Sequence, residues 1–189
     1  MVNTILIYPR QVVKDWLDLK PIVSPPDKPW ALISINDTLE DPLINDKRFH
    51  NLPTVGCLKA YSVVFSDITA KEYERFDART QSEVTLFTRK HAGEIIDFLK
   101  KLDEAEVLVV HCAAGISRSG AVGAFASRFL GINHREFYSK NFRIHPNYHI
   151  LSLLNEVSGM DSRYMTFWED SFKTNDRMRN LSSFRLKDL

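Results

Sequence analysis

Val107-Leu108-Val109-Val110-His111-Cys112-Ala113-Ala114-Gly115-Ile116-Ser117-Arg118-Ser119-Gly120 is the stretch on which the reading turns. Residues 107–110 form a short, wholly apolar run rich in β-branched side chains, the mark of a central strand buried on both faces. Beyond the polar segment 111–118, Ala121, Val122, Ala124, Phe125 and Phe129 can cover one face of a helix. A strand that passes through a short loop into a helix aims consecutive backbone N–H groups, and the positive end of the helix dipole, at one point. Such a point binds a phosphate dianion.

Each residue type in the loop has a use there. Cys112 stands at the strand end, where the same N–H groups and dipole stabilise a thiolate. Gly115 lets the backbone approach a ligand closely or take a positive φ. Arg118, six positions after Cys112, offers a planar fork for two phosphate oxygens. Ser119 can donate a hydrogen bond to the sulfur and make it a better leaving group. His111 is expected to orient the loop rather than touch substrate. The expected phosphate cradle is Ala113, Ala114, Gly115, Ile116, Ser117 and Arg118.

Outward from the loop, strands and helices alternate. Residues 5–8 read as a strand. Residues 11–19 read as a helix with Val12, Val13, Trp16 and Leu19 on one side. Residues 21–29 carry four prolines and form a connector. Residues 30–35 suit a buried strand, 36–53 a polar surface loop, and 61–65 a strand ending at Ser66-Asp67. Residues 68–86, dense in charge, read as a surface excursion. Thr88 can cap a helix in which Ala92, Ile95, Ile96 and Leu99 recur at helical spacing. A further helix spans 147–157. The pattern predicts an α/β fold of three layers, a central and mainly parallel sheet flanked by helices. One domain is expected over 1–158, with 159–189 as an extension.

The bulk numbers exclude several classes. The chain has 189 residues and a formal net charge of +1, so nothing global draws it to nucleic acid or an anionic membrane. Hydrophobic residues are 44% and charged residues 26%, the balance of a folded, soluble protein. Two cysteines, Cys57 and Cys112, are too few for a disulfide scaffold or a structural zinc site. The start lacks the basic and apolar pattern of a secretory signal, so a reduced, cytoplasmic location is expected. The six histidines show no ligand spacing, and His145 and His149 are expected at the surface. No metal and no cofactor are expected. Cys57 reads as a small buried residue, or else as a partner that shields Cys112 through a reversible disulfide. Lys100, Lys101, Arg177, Arg179, Arg185 and Lys187 read as solvated charges.

The segment 111–119, His-Cys-x5-Arg-Ser with Gly at 115, resembles the signature loop of the cysteine-dependent protein tyrosine phosphatases. Its wording is closest to the dual-specificity subgroup. The resemblance implies Cys112 as nucleophile, Arg118 as phosphate ligand, and Ser119 as an aid to hydrolysis of the phosphocysteine. His145-Pro146-Asn147, followed by Ile150, Leu153 and Leu154, is similar to the Arg-Pro-Asn segment and helix of that subgroup, with His145 in place of its Arg. The strand before Asp67 and the helix after Thr88 occupy the positions of the general-acid loop and its following helix. The resemblance covers about 56–158.

The resemblance makes Asp67 the first candidate for general acid. It lies 45 positions before Cys112, farther than in compact members, with 68–86 as an insertion. Asp77 inside that insertion is the alternative. The implied substrate is a phosphorylated protein. Loops of this kind also act on phosphoinositides or RNA 5′-phosphates, where extra basic loop residues are favoured. Here Ala113, Ala114, Ile116 and Ser117 are neutral. A non-catalytic phosphate-binding module is the other reading, and it requires that neither Asp67 nor Asp77 reach the site.

Overall fold

A computed structural model describes residues 1–38 and 42–161; the tail cations Arg177, Arg179, Arg185 and Lys187, and residues 162–189 altogether, lie outside the described residues. Among the described residues four strands form one sheet in the order β1 (Thr4–Pro9), β4 (Val107–Cys112), β2 (Trp30–Asn36), β3 (Cys57–Val64). Every pairing is parallel. Parallel strands need helical crossovers, which cover both faces of the sheet and leave its inner strands apolar throughout. All residues of β2 and β4 are accordingly buried.

Alternation along these two strands divides the interior. Trp30, Leu32, Val107 and Val109 face α1 (Arg10–Leu17) and a 3₁₀ segment (Lys47–Val55), which supply Val13, Trp16, Leu17 and Leu52. Trp16 and Trp30 meet edge to face at 5.2 Å, a contact worth about 0.5–1.5 kcal/mol beyond the area it buries. Ala31, Ile33, Ile35, Leu108 and Val110 face the opposite layer. That layer holds α4 (Arg89–Leu99), α5 (Arg118–Phe129) and α7 (Tyr148–Ser158). Ala92, Ile95, Ile96 and Leu99 are buried, as their spacing requires. The three-layer α/β fold stands.

Several expectations need correction. Residues 36–53 are not simply a polar loop: Asn36, Leu43 and Leu52 are buried, and two 3₁₀ helices (Leu43–Asn45 and Lys47–Val55) close one core. Leu19 lies beyond the end of α1 at φ 55 and is half exposed. The strand expected at 61–65 begins at Cys57. The excursion 68–86 contains two short exposed helices, α2 (Ala70–Arg75) and α3 (Ala78–Glu83). A further helix, α6 (His134–Lys140), has only Phe137 buried and so lacked an apolar period to reveal it. His149 is half-buried, its Nε2 donating to the Phe87 carbonyl at 3.0 Å. Among the described residues no helix is long and apolar enough to cross a membrane.

The shielding disulfide is ruled out by register. Trp30 stands opposite both Cys57 and Val107, so Cys57 lies at the level of Val107, at the other end of the sheet from Cys112. Five residues of strand are roughly 16 Å, well beyond disulfide reach. Burial pushes the Cys57 thiol up to about 12, so it is an inert core residue.

Candidate active site

In a parallel sheet all the strands end on the same edge, and ligands bind outside that edge. Here the four ends deliver Arg10 after β1, Asp37 after β2, Asp67 just beyond β3, and Cys112 at the end of β4. The loop 112–118 runs from β4 into the first turn of α5.

The loop's carbonyls are tied outward. Ala113 O accepts from Arg10 N at 3.2 Å, Ile116 O from His145 N at 3.0 Å, and Ser117 O from Ala121 N at 2.9 Å and Asn147 N at 3.3 Å. In a planar trans peptide the N–H points opposite to the C=O. Fixing these carbonyls therefore turns the amides of Ala114, Ser117 and Arg118 to the opposite side, an arrangement of N–H groups that can bind an anion. The segment His145-Pro146-Asn147 acts here as a brace on that loop.

Gly115 takes φ +70, as its position suggested, and the backbone there also approaches β1 closely. A Cβ there would stand 2.6 Å from Pro9 N and Tyr8 C. Only glycine lets the loop fold down onto the end of the neighbouring strand.

Cys112 Sγ lies 3.1 Å from Ser119 Oγ, and both residues are buried. Arg118 is 5% exposed. Its Nη1 donates to Phe65 O at 2.9 Å and to Asp37 Oδ2 at 3.3 Å, while its Nε has no protein partner among the described residues. A buried guanidinium N–H without an acceptor is costly, and a bound phosphate oxygen would supply one. His111 is buried, with Nε2 at 2.8 Å from Ser34 Oγ. Burial, then the nearby Arg10 charge, pushes its pKa down to about 3, so it stays neutral.

Asp67 reaches the loop. Its Oδ1 accepts from Ser117 Oγ at 2.8 Å and from Asn147 Nδ2 at 2.9 Å. Asp77 does not: it caps α3, accepting from Thr80 N at 2.7 Å, and those hydrogen bonds hold its carboxyl below the usual range. Asp37, within the residues expected to form a surface loop, instead pairs with Arg118 at the site. Its signal was available, since a carboxylate directly after a fully buried strand must lie at the binding edge of the sheet. Asn36 beside it is a hub, accepting from Arg10 Nη1 at 2.7 Å and donating to Ser34 Oγ and Ser62 Oγ.

Among solved structures, the human tyrosine phosphatase-like serine/threonine/tyrosine-interacting protein superposes with a TM-score of 0.50 at 16% identity, over 82% of this chain and 91% of that one. The chain has the tyrosine phosphatase-like fold. Tk-PTP in its active form matches with a TM-score of 0.47 at 16% identity, over 81% and 88% of the two chains. The PTP-2 phosphatase of Cydia pomonella matches at 0.44 and 16%, over 81% and 84%. No protein-family model and no curated protein matches this sequence. The likeness of the phosphatase-like fold is thus one of architecture, and it agrees with the resemblance carried by residues 111–119.

Proposed function

We propose that this chain hydrolyses phosphate monoesters on proteins, phosphotyrosine foremost, through a phosphocysteine on Cys112. The observation that carries the reading is the pairing of Cys112 Sγ with Ser119 Oγ at 3.1 Å, beside an Arg118 whose buried Nε has no protein partner.

In the first step the Cys112 thiolate attacks phosphorus and the bond from phosphorus to the leaving oxygen breaks. Asp67 gives that oxygen its proton. Asp67 Oδ1 is held by two donors, so the proton belongs on Oδ2, which takes no hydrogen bond from the described residues. Arg118 grips two of the phosphoryl oxygens, and the inward amides take the developing charge. In the second step water attacks phosphorus and gives a proton to the Asp67 carboxylate. The S–P bond breaks, and Ser119 Oγ donates to the departing thiolate, completing the cycle.

The neutral side chains at 113, 114, 116 and 117 support a substrate with one phosphate on a weakly charged group. Asp67's contact with the loop favours catalysis over simple phosphate binding. The test is turnover of p-nitrophenyl phosphate in the presence of chelator by the wild type and by Cys112→Ser. The reading expects activity in the first and none in the second. An inactive wild type would favour the binding module.

A further inference from the structure

A cleft of about 240 Å³ opens against the flank of the loop. Residues 114–116 form one wall, residues 7–9 the floor, and the turn after α6, residues 140–144, the far wall. Two large apolar side chains at this cleft face solvent: Phe142 is 68% exposed and Ile116 is 40% exposed. The Arg143 guanidinium stacks over the Phe142 ring, 5.6 Å from its centroid, which fixes a positive charge at the rim. Lys140, by contrast, is taken by Glu136 at 2.7 Å, whereas Arg143 has no carboxylate partner among the described residues.

Resting on the phosphatase reading, we propose that this cleft receives a side chain flanking the phosphoresidue of a substrate polypeptide. The occupant is an apolar residue that packs against Ile116 and Phe142, with an acidic neighbour paired to Arg143. Three features select this occupant. The cleft shares residues 114–116 with the loop, so a chain presenting its phosphate to the amides can run its next residues past these walls. At about 240 Å³ it is smaller than the ~300–1,000 Å³ of pockets that engulf whole small molecules, and it suits one side chain. Among the described residues the rim offers a single cation without a carboxylate partner, in a chain of net charge +1, whereas recognition of anionic lipid uses a cluster of about 4–8 basic residues. Since the loop's own variable side chains are neutral, discrimination among substrates has to come from surfaces beside it.

The experiment compares two phosphotyrosine peptides, one with Leu and Glu on the flanks of the phosphoresidue and one with Gly and Lys there. Wild type, Phe142→Ala and Arg143→Ala are each assayed on both peptides, on p-nitrophenyl phosphate and on phosphoinositide vesicles. The expected result is that wild type prefers the Leu/Glu peptide by about tenfold in kcat/KM, the scale of one apolar group in a pocket. Each variant should lose most of that preference with p-nitrophenyl phosphate turnover unchanged. Equal kcat/KM for the two peptides in the wild type would overturn the proposal. So would variants that slow all substrates alike, or that lose vesicle turnover while keeping the peptide preference. A wild type inactive on p-nitrophenyl phosphate would sink the phosphatase reading itself, whereas activity without peptide preference sinks the cleft alone.

Discussion

Asn147 holds Asp67 from 80 positions away, its Nδ2 donating to Asp67 Oδ1 at 2.9 Å while its own Oδ1 caps α7 through His149 N and Ile150 N. One residue thus starts a helix, braces the loop 112–118 through its backbone N–H, and sets the direction of the Asp67 carboxylate, the proposed acid. Removing the acid should hurt most when the leaving group is poor. Asp67→Asn should cost about 10²–10⁴ in rate on phosphotyrosine, whose phenol has a pKa of about 10, and less on p-nitrophenyl phosphate. Asn147→Asp keeps the cap and replaces the donor with a repelling carboxylate. It should lower the rate on phosphotyrosine by about tenfold with little change in melting temperature. Asp77→Asn should leave the rate unchanged, and a leaving-group-dependent loss in that variant would move the acid into the excursion.

Asp37 and Arg118 form a nearly buried ion pair at 3.3 Å. The carboxylate holds one arm of the guanidinium toward β2, and under the proposed function Nε and the other arm take the phosphate. Asp37→Ala should therefore weaken inhibition by inorganic phosphate and lower kcat/KM by about tenfold, or ~1.4 kcal/mol, with partial rescue by Asp37→Glu. Arg118→Lys should lose most activity, because a point charge cannot reproduce a fork. Unchanged phosphate inhibition in Asp37→Ala would remove Asp37 from this role.

Gly115→Ala tests the loop's descent onto β1. The left-handed backbone alone costs an L-residue about 1–2 kcal/mol, and the new Cβ would lie 2.6 Å from main-chain atoms that cannot rotate away. Urea unfolding should show a loss larger than that range, with activity falling alongside. A stability equal to wild type would mean that the loop sits elsewhere.

His111 predicts a pH dependence of stability. Its folded pKa is depressed to about 3, whereas an unfolded histidine titrates near 6.5. Between these values the unfolded chain binds a proton that the folded chain refuses, so stability falls as pH drops below about 6.5, by at most about 1.4 kcal/mol per pH unit from this group. Denaturant unfolding at pH 7 and pH 5 should show the loss, and His111→Gln should reduce it. An identical slope in the variant would contradict the assignment.

Sequence patterning revealed those parts of the molecule whose period or chemistry is local. The all-apolar run 107–110 identifies an inner strand, and the spacing of Ala92, Ile95, Ile96 and Leu99 identifies α4, because burial on a regular element imposes a period. The Cys112–Arg118 loop is equally legible, since seven consecutive residues carry its pattern. Asp37 escaped notice because its importance depends on β2 lying beside β4, a pairing set by the whole sheet. That Asp67 rather than Asp77 touches the loop likewise depends on the position of Asn147, which no spacing between residues 67 and 147 encodes. The exclusion of Cys57 came only from strand register.

The covalent intermediate is tested most directly by trapping it. Ser119→Ala removes the donor to the departing sulfur, so the second step should slow and the phosphoenzyme should accumulate. Acid quench during turnover of p-nitrophenyl phosphate, followed by mass analysis of the peptide containing residue 112, should find one phosphoryl group on Cys112 in Ser119→Ala and none in Cys112→Ser. Turnover by Cys112→Ser, or a phosphoryl group on any other residue of the working enzyme, would contradict the account.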